Sequence, residues 1–480
     1  MGNRLSALDT SFLHLEGDGA HMHVAAIMTF EGPPPAYDEV VDLVVGRLDR
    51  VPRYRQRLAF VPFGLGRPRW VDDPYFNPRY HIRHAGLPAP GGDAELAQLA
   101  ARLFGQRLDR SRPLWELLLV EGLSGGRFAL ISKTHHALVD GISGVDIASL
   151  LFDLAPDAER PAPPAPWAPR PLPTRAELLA EALLERTTMP GEIARGVRAL
   201  TRGPRRAAER LAGAVSDIGE LALGGISPVP ATPLNVPIGP HRRYAWLDER
   251  LEDFRAIKAA LGGTINDVVL TGVALTLGRW LRERGHDTDG LVLRAMVPVS
   301  VRVEDERGAL GNRVAAMWAP LPVGQADPVA CHAAVRAAMA DLRESGQAVG
   351  AERLTKLADF APPTILSQAA RLQPRQRFFN LVITNVPGPQ FPLYMLGRRM
   401  TSLRPVVPLA KRQALGVAVM SYNGQMHFGL LGDYDALPDL DRIQAHLAGA
   451  FADLRAAAGA PSENGERADR FTRSSTRAAS

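Results

Sequence analysis

The stretch RFALISKTHHALVDGISGVDIASLL, residues 127–151, contains a predicted strand, a polar motif and a predicted helix in direct succession. Apolar residues dominate 127–134, which is typical of a buried strand. After the motif HHALVDG at 135–141, apolar residues return at spacings of three and four, which indicates a helix: Ile142, Val145, Ala148, Leu151 and Leu154. The motif is therefore predicted to lie at a strand-to-helix junction, where rigid elements can present its side chains to a cleft.

Strands and helices alternate upstream of this stretch. Residues 115–120 and 127–134 are predicted strands, and the Gly-rich sequence GLSGG at 122–126 predicts the hairpin turn between them. Residues 23–30 predict a further strand. Two amphipathic helices are indicated by apolar residues at helical spacing: Val41, Val44, Val45 and Leu48 in one, and Leu96, Leu99, Leu103 and Phe104 in the other.

A proline-rich connector divides the chain. Residues 155–173 contain eight prolines, which cannot continue a helix or a central strand. Residues 174–223 are predicted to be helical and carry a basic stretch at 195–210: Arg195, Arg198, Arg202, Arg205, Arg206 and Arg210. This stretch is either a solvated helix face or a surface that contacts anionic lipid.

A second α/β region follows the connector. Apolar alternation over 417–431 is interrupted by Asn423-Gly424, which predicts a two-residue hairpin turn. A closing helix carries Ile443, Leu447, Phe451 and Leu454 on one face. We predict an α/β, layered fold in which an N-terminal unit (1–154), a Pro-rich and helical linker (155–240) and a C-terminal unit (241–460) precede a disordered tail (461–480).

Composition and charge exclude several classes of protein. The chain is 46% hydrophobic and 22% charged, which excludes disordered and fibrous proteins. Its net charge of +5 is small and evenly spread, so nucleic acid is not an expected partner. Cys331 is the single cysteine, which excludes an internal disulfide and indicates a reducing compartment. We find neither a run of ~18–20 apolar residues nor a secretory signal, so we expect a cytoplasmic location, with peripheral attachment to the inner membrane face or to lipid bodies as an alternative.

The motif at 135–141 carries the chemistry. From the His, Asp and Gly content of the chain, HHxxxDG is expected by chance on the order of 0.002 times. An imidazole can take a proton from a hydroxyl and return it within one turnover. Asp140 can fold back across a turn that Gly141 assists and so hold the imidazole in place. His136 is then the better candidate for the base, with His135 as a supporting neighbour.

Other interpretations of the motif stay open at this point. Paired histidines at a strand end are often hydrogen-bonded core residues, and two His with one Asp could bind a metal, although no ligand spacing supports one. We therefore predict no metal. Cys331 precedes His332, but neighbours on a helix do not face each other, and no GxSxG sequence is present, so a covalent nucleophile is not expected.

Further motifs occur in a fixed order around HHALVDG. They are LSALDTSFLHLEGDGAHMHV at 5–24, PLWELLLVEGL at 113–123, INDVVLTGVAL at 265–275, VPVSVR at 297–302, LGNRV at 310–314 and NVPGP at 385–389. The set resembles the bacterial wax ester synthase/diacylglycerol acyltransferase family over about residues 4–456. HHxxxDG alone is shared with chloramphenicol acetyltransferase-like enzymes and peptide-synthetase condensation domains, and the collinear set narrows the resemblance to the family.

The resemblance implies two chloramphenicol acetyltransferase-like domains with an active-site tunnel between them. It implies acyl-CoA as co-substrate, no other cofactor, and diacylglycerol or a fatty alcohol as acceptor, so that the product is triacylglycerol or a wax ester. His136 would deprotonate the alcohol, whose oxygen attacks the thioester. Asp140 would be structural and paired with Arg302, and Gly141 would permit the turn.

Three further motifs each have a structural and a functional interpretation. Thr264 and Asp267 fit a capping box, whereas Asn266 is not needed for capping and could help to hold an oxyanion. Pro113-Leu114-Trp115 starts a strand with a packing Trp or contacts substrate. Asn385 leaves a strand in a turn, and only the resemblance implies that it lines a tunnel.

Two rival functions are weighed against acyl transfer from acyl-CoA. Condensation of carrier-bound thioesters predicts neighbouring carrier modules, which this chain does not contain. A lipid- or acyl-binding protein without activity has no chemical reason to keep His136, Asp140 and Gly141.

Overall fold

The computed structural model describes residues 4–17, 19–139, 151–161, 167–184, 229–300, 314–344 and 379–459. Asp140, Gly141 and Arg302 lie outside the described residues, as do the basic stretch 195–210 and the predicted tail.

The strands are numbered in chain order. They are β1 (His23–Phe30), β2 (Gln56–Ala59), β3 (Arg69–Asp72), β4 (Ile82–Gly86), β5 (Trp115–Glu121), β6 (Phe128–His135), β7 (Arg242–Arg250), β8 (Leu293–Ser300), β9 (Val314–Leu321), β10 (Leu381–Pro387), β11 (Tyr394–Met395), β12 (Arg398–Val406), β13 (Leu415–Tyr422) and β14 (Gln425–Asp433).

The helices are numbered in the same way. They are α1 (Ala7–Leu15), α2 (Tyr37–Arg47), α3 (Pro78–His81), α4 (Asp93–Phe104), α5 (His136–Val139), α6 (residues 175–184), α7 (Leu251–Leu261), α8 (Ile265–Glu283), α9 (Pro328–Glu344) and α10 (Leu440–Ala457).

Two six-stranded sheets form the framework. The first has the strand order β11-β12-β1-β6-β5-β4 and the second β7-β14-β13-β10-β8-β9, while β2 and β3 form a separate hairpin. Most neighbours are antiparallel, and β4–β5, β8–β10 and β10–β13 are the parallel pairs among the described strands. Parallel neighbours need a long crossover, which α4 supplies between β4 and β5 and the excursion through β11 and β12 supplies between β10 and β13.

Two strands of the first sheet, β11 and β12, come from the C-terminal part of the chain. Residues 398–406, which the sequence places in the C-terminal unit, form β12 and pair antiparallel with β1, Ala25 opposite Val406. Val407, directly after β12, packs on Val382 and Ala418 of the second sheet. The crossover strand therefore ties the two sheets together.

The predicted local elements are present where the structure describes them. β5 and β6 form the predicted hairpin, and β13 and β14 are joined by Asn423 and Gly424 with φ of 45° and 81°, the left-handed values that a tight hairpin turn requires. α8 begins with the predicted capping box, in which the Thr264 hydroxyl accepts from the Asp267 N–H and the Asp267 carboxylate accepts from the Thr264 N–H.

The core of the second unit surrounds α8. Nearly every residue of α8 from Asp267 to Leu281 is buried, among α7, α9, α10 and the second sheet. Within the part of the chain that the structure describes, no single helix is long and apolar enough to cross a membrane. α7 and α8 meet the length and composition of a span only when they are taken as one pair, bent by 95°.

Candidate active site

The paired histidines stand at the predicted junction. His135 is the last residue of β6 and His136 the first of α5. The His135 N–H donates to the Leu114 carbonyl at 2.9 Å, and the His136 N–H donates to the Met22 carbonyl at 2.8 Å. Leu114 immediately precedes β5 and Met22 immediately precedes β1, so the starts of the two flanking strands fix the backbone of the pair.

The His135 side chain is a buried support. It is 1% exposed, and its Nδ1 accepts the Ala137 N–H at 3.0 Å. The hydrogen of the neutral ring is then assigned to Nε2, which faces Glu16 Oε1 at 3.4 Å. Burial lowers the pKa of His135, so the ring is neutral at neutral pH.

Glu16 lies beneath the histidines, and the sequence analysis did not single it out. Its carboxylate is 8% exposed, faces His23 Nε2 at 3.4 Å and accepts two bonds from the Arg110 guanidinium, one of them at 2.8 Å. Burial raises the pKa of Glu16, but hydrogen bonds from His135 and His23 and the charge of Arg110 outweigh it and hold the pKa well below its usual range. Glu16 is thus a buried anion that orients His135.

Two further histidines continue this cluster. His23 lies directly opposite His135 on β1, with ring centroids 5.8 Å apart, and His21 stacks on His23 at 5.7 Å. Burial lowers the pKa of His23 to about 3, and burial together with the charges of Arg242 and Arg107 lowers that of His21 to about 4. Both rings are therefore neutral at neutral pH.

The His136 side chain differs from its neighbour in access. It is half-buried rather than enclosed, and its ring lies against Phe12 of α1, with centroids 4.0 Å apart and planes inclined by 30°. A rigid apolar ring on one side restricts the rotation of the imidazole. His136 is therefore the ring of the pair that a substrate can approach.

The histidine cluster lies where the two halves of the molecule meet. The loop between Glu16 and His21 touches the second half twice: a Cβ on Gly17 would stand 2.7 Å from the Lys411 side chain, and the Gly19 carbonyl accepts a hydrogen bond from Arg242. Arg242 is itself held by the buried Asp433 at 3.7 Å. The seam between the two sheets thus passes beside the paired histidines.

The second half brings two of the predicted site residues together. The Asn385 amide donates to Asn266 Oδ1 at 3.4 Å, and both side chains are half-buried. Asn266 lies in the first turn of α8 and Asn385 lies on β10. The prediction that Asn385 leaves its strand in a turn is wrong, because β10 continues to Pro387 and Asn385 pairs with Val419 of β13. The amide of Asn266 takes no part in the capping box and is free for another role, apart from its contact with Asn385.

The PLW sequence occupies the core. Leu114 and Trp115 are fully buried and Pro113 is buried; Trp115 Nε1 donates to the Tyr54 carbonyl at 2.8 Å. The Leu114 carbonyl also holds the backbone of His135. These contacts give the sequence a packing and positioning role, and a direct contact of Trp115 with substrate stays a prediction, as does the pairing of Asp140 with Arg302.

Cys331 and His332 do not form a catalytic pair. Burial raises the pKa of Cys331 to about 12, which opposes thiolate formation. The two His332 ring nitrogens contact the Thr271 hydroxyl at 3.1 Å and the Gly262 carbonyl at 3.0 Å. Among the described residues, no group of three or more His, Cys, Asp or Glu side chains is arranged to hold a metal ion.

Comparison with known proteins assigns the family. Residues 5–269 match the wax ester synthase/diacylglycerol acyltransferase catalytic domain, and residues 310–455 match the WS/DGAT C-terminal domain. This chain belongs to the wax ester synthase/diacylglycerol acyltransferase family. The relatives include the probable diacylglycerol O-acyltransferases tgs1 and tgs2 of Mycobacterium tuberculosis H37Rv. Each is 34% identical over 94% of this chain, and the match covers 96% of tgs1 and 98% of tgs2.

Solved structures agree with this assignment. The wax ester synthase/diacylglycerol acyltransferase of Marinobacter aquaeolei VT8 superimposes with a TM-score of 0.69 and 28% identity, over 95% of this chain and 99% of that one. The starter condensation domain of rhizomide synthetase RzmA superimposes with a TM-score of 0.57 at 15% identity, which reflects the shared fold alone. The predicted fold of two chloramphenicol acetyltransferase-like domains is confirmed, and as a member of the WS/DGAT family the chain is an O-acyltransferase.

Proposed function

We propose that this enzyme transfers a long-chain acyl group from acyl-CoA to the free hydroxyl of diacylglycerol, forming triacylglycerol. The observation that carries the proposal is the difference between the paired histidines: His135 is enclosed and faces the buried Glu16 carboxylate at 3.4 Å, whereas His136 is half-buried beside the junction of the two sheets. The names of the mycobacterial relatives support diacylglycerol as the acceptor.

The reaction follows from general-base chemistry. The His136 imidazole takes the proton of the acceptor hydroxyl while its oxygen attacks the thioester carbonyl. The resulting tetrahedral intermediate breaks its C–S bond, and the CoA thiolate leaves and receives the proton from the imidazolium. Thiolate leaves more readily than alkoxide because thiols have a pKa near ~8.5 and alcohols a much higher one.

The neighbouring groups position this base and stabilise charge. His135, Glu16 and Arg110 form a chain of contacts that holds the backbone and side chain next to His136. The neutral state of His135 and His23 avoids a second positive charge beside the imidazolium that forms during the reaction. We assign the oxyanion to the Asn266 amide, oriented by Asn385, because a preorganised amide donor stabilises developing negative charge.

A second acceptor has a specific observation in its favour. The Marinobacter aquaeolei protein, whose structure superimposes over 99% of its length, is named as both a wax ester synthase and a diacylglycerol acyltransferase. A long-chain fatty alcohol presents the same primary or secondary hydroxyl chemistry to His136. Wax ester formation would therefore use the same base and differ in the pocket that holds the acceptor.

The experiment offers both acceptors to the purified protein. Labelled palmitoyl-CoA is incubated with dioleoylglycerol, with hexadecanol, or with both in equal amounts, and the lipid products are separated and counted. We expect triacylglycerol to exceed wax ester in the competition. A predominance of wax ester would replace diacylglycerol as the acceptor, and release of free palmitate without either ester would contradict acyl transfer to an alcohol.

A further inference from the structure

The turn between α7 and α8, which leads into Asn266, is built on two glycines. Gly262 and Gly263 have φ of 79° and 80°, left-handed values that glycine adopts without strain. Among the described residues, the Asn266 amide has one hydrogen bond, the long one from Asn385 at 3.4 Å. The direction in which this amide points therefore depends on how firmly the backbone around it is held.

The helix α9 contacts this turn with three side chains on one of its faces. His332, Arg336 and Arg343 follow one another at spacings of four and seven residues, which the α-helical period places along one side of a helix. Each of the three donates a hydrogen bond to the end of α7, to the turn or to the start of α8. We call these three residues the α9 clamp.

Two members of the α9 clamp hold the turn itself. A carbonyl oxygen only accepts, so His332 Nε2 donates to the Gly262 carbonyl at 3.0 Å, and Arg336 Nη1 donates to the Leu261 carbonyl at 2.9 Å. The Arg336 side chain also covers the turn, since a Cβ on Gly263 would stand 3.3 Å from its Cγ and Cδ. These contacts satisfy carbonyls at the end of α7 that have no partner within the helix.

The third member, Arg343, binds the residue next to Asn266. Its Nη2 donates to Asp267 Oδ1 at 2.9 Å, while Asp267 Oδ2 accepts from the Thr264 N–H at 2.8 Å. The Asp267 carboxylate is fully buried, whereas the Arg343 side chain is 44% exposed. A buried carboxylate that loses a partner is costly, so Arg343 holds the Asp267 side chain in its place in the capping box.

This ion pair can act on the reaction as well as on stability. Asp267 and Asn266 are consecutive residues of the first turn of α8, so a shift of the Asp267 side chain and backbone also moves the Asn266 amide. A displacement of about 1 Å at a group that must meet a reacting atom can cost about 10²-fold in rate. A contact that only stabilised the fold would lower the unfolding free energy and leave the rate unchanged.

We propose that Arg343 is a positioning residue for the oxyanion donor: it acts through Asp267 on Asn266, while His332 and Arg336 fix the turn that precedes them. The inference rests on the proposed role of Asn266 in holding the oxyanion, and it goes further by assigning the orientation of that amide to α9. His332, which forms no catalytic pair with Cys331, has its role in this clamp.

The test is a double-mutant cycle on the single-turnover rate of ester formation, with purified protein, labelled palmitoyl-CoA and detergent-dispersed diacylglycerol. Arg343→Met nearly keeps the length of the side chain and removes its charge. We expect it to lower the rate about tenfold in the wild-type background. In the Asn266→Ala background we expect a loss below about twofold, because the amide that Arg343 orients is then absent. The KM for palmitoyl-CoA should be the same with and without the Arg343 substitution.

Two further variants separate positioning from stability. Arg343→Lys should restore most of the rate, because the contact with Asp267 uses a single nitrogen that a lysine can replace. The matched control is Arg279→Met, which removes a partly exposed arginine of α8 that pairs with Asp453 of α10. This control should form ester at the wild-type rate.

The possible failures can be told apart. An equal loss in both backgrounds would overturn the inference, since Arg343 would then act independently of Asn266. A wild-type rate in Arg343→Met beside a slow Asn266→Ala enzyme would refute the inference alone and leave the proposed function standing. A wild-type rate in Asn266→Ala would remove the oxyanion assignment itself, and the inference with it.

Discussion

Acidification should destabilise the fold through the buried histidines at the seam. The pKa values of His23 and His21, about 3 and about 4, lie below the ordinary value of 6.5. The unfolding free energy is therefore unaffected by these two groups above about pH 6.5 and falls as the pH is lowered below that value. Between pH 6.5 and about pH 5, an interval of about 1.5 pH units, the unfolded chain binds a proton at each of these histidines and the folded chain does not. At ~1.4 kcal/mol per unit, each histidine costs about 2 kcal/mol.

The expected total is therefore a loss of about 4 kcal/mol of unfolding free energy between about pH 7 and about pH 5. The pKa values of His81 and His135 are lowered as well and add to this loss. Glu16 does not change the slope in this window, because its pKa is below 4.5 in the folded state and near that value in the unfolded one.

Urea unfolding followed by tryptophan fluorescence at a series of pH values measures this slope. His23→Gln should reduce it by about 1.4 kcal/mol per pH unit between about pH 6 and pH 5, since one excluded proton is removed. His286→Gln is the control, because His286 is exposed. A variant with the wild-type slope, or a fold that is more stable at pH 5, would refute the assignment of buried neutral rings at the seam.

Three substitutions test the individual roles. Glu16→Gln keeps the volume but removes the charge, and should lower kcat about 10–100-fold with little change in the KM for acyl-CoA. The control Glu121→Gln, which alters a carboxylate–histidine contact elsewhere, should leave kcat unchanged. A Glu16→Gln enzyme with full kcat would show that Glu16 does not position His135. Trp115→Phe should cost about 1–2 kcal/mol of unfolding free energy by deleting the bond to the Tyr54 carbonyl, with kinetics unchanged, and a raised acceptor KM would instead favour substrate contact. Asn266→Ala should lower kcat about a hundredfold if its amide stabilises the oxyanion, and an unchanged kcat would discard that assignment.

The local features of this fold could be predicted because neighbouring residues determine them. The Asn423-Gly424 turn, the Thr264 capping box and the strand-to-helix junction at His135 all depend on contacts within a few residues. The turn predicted at Asn385 was wrong, because the parallel pairing of β10 with β13 carries the strand on to Pro387. The motif order then identified the family, because six sequences in fixed order are far more specific than HHxxxDG alone.

Long-range features could not be read in this way. β12 carries the alternating burial of an ordinary strand, and nothing within residues 398–406 indicates that its partner is β1, some 370 positions earlier, rather than a strand of its own unit. Glu16 lies in the quoted sequence 5–24, but only the folded chain brings its carboxylate against His135. The signal that could have found it is an acidic residue directly after α1 and close in sequence to His21 and His23. The domain boundaries stay a prediction.

The most direct measurement is ester formation by His136→Ala under single-turnover conditions, with purified protein in excess over labelled palmitoyl-CoA and diacylglycerol supplied in detergent. The account predicts a rate at least ~10²-fold below that of the wild type, with palmitoyl-CoA binding retained, because the hydroxyl has lost its proton acceptor. Ester formation at the wild-type rate in this variant would contradict the assignment of His136 as the base.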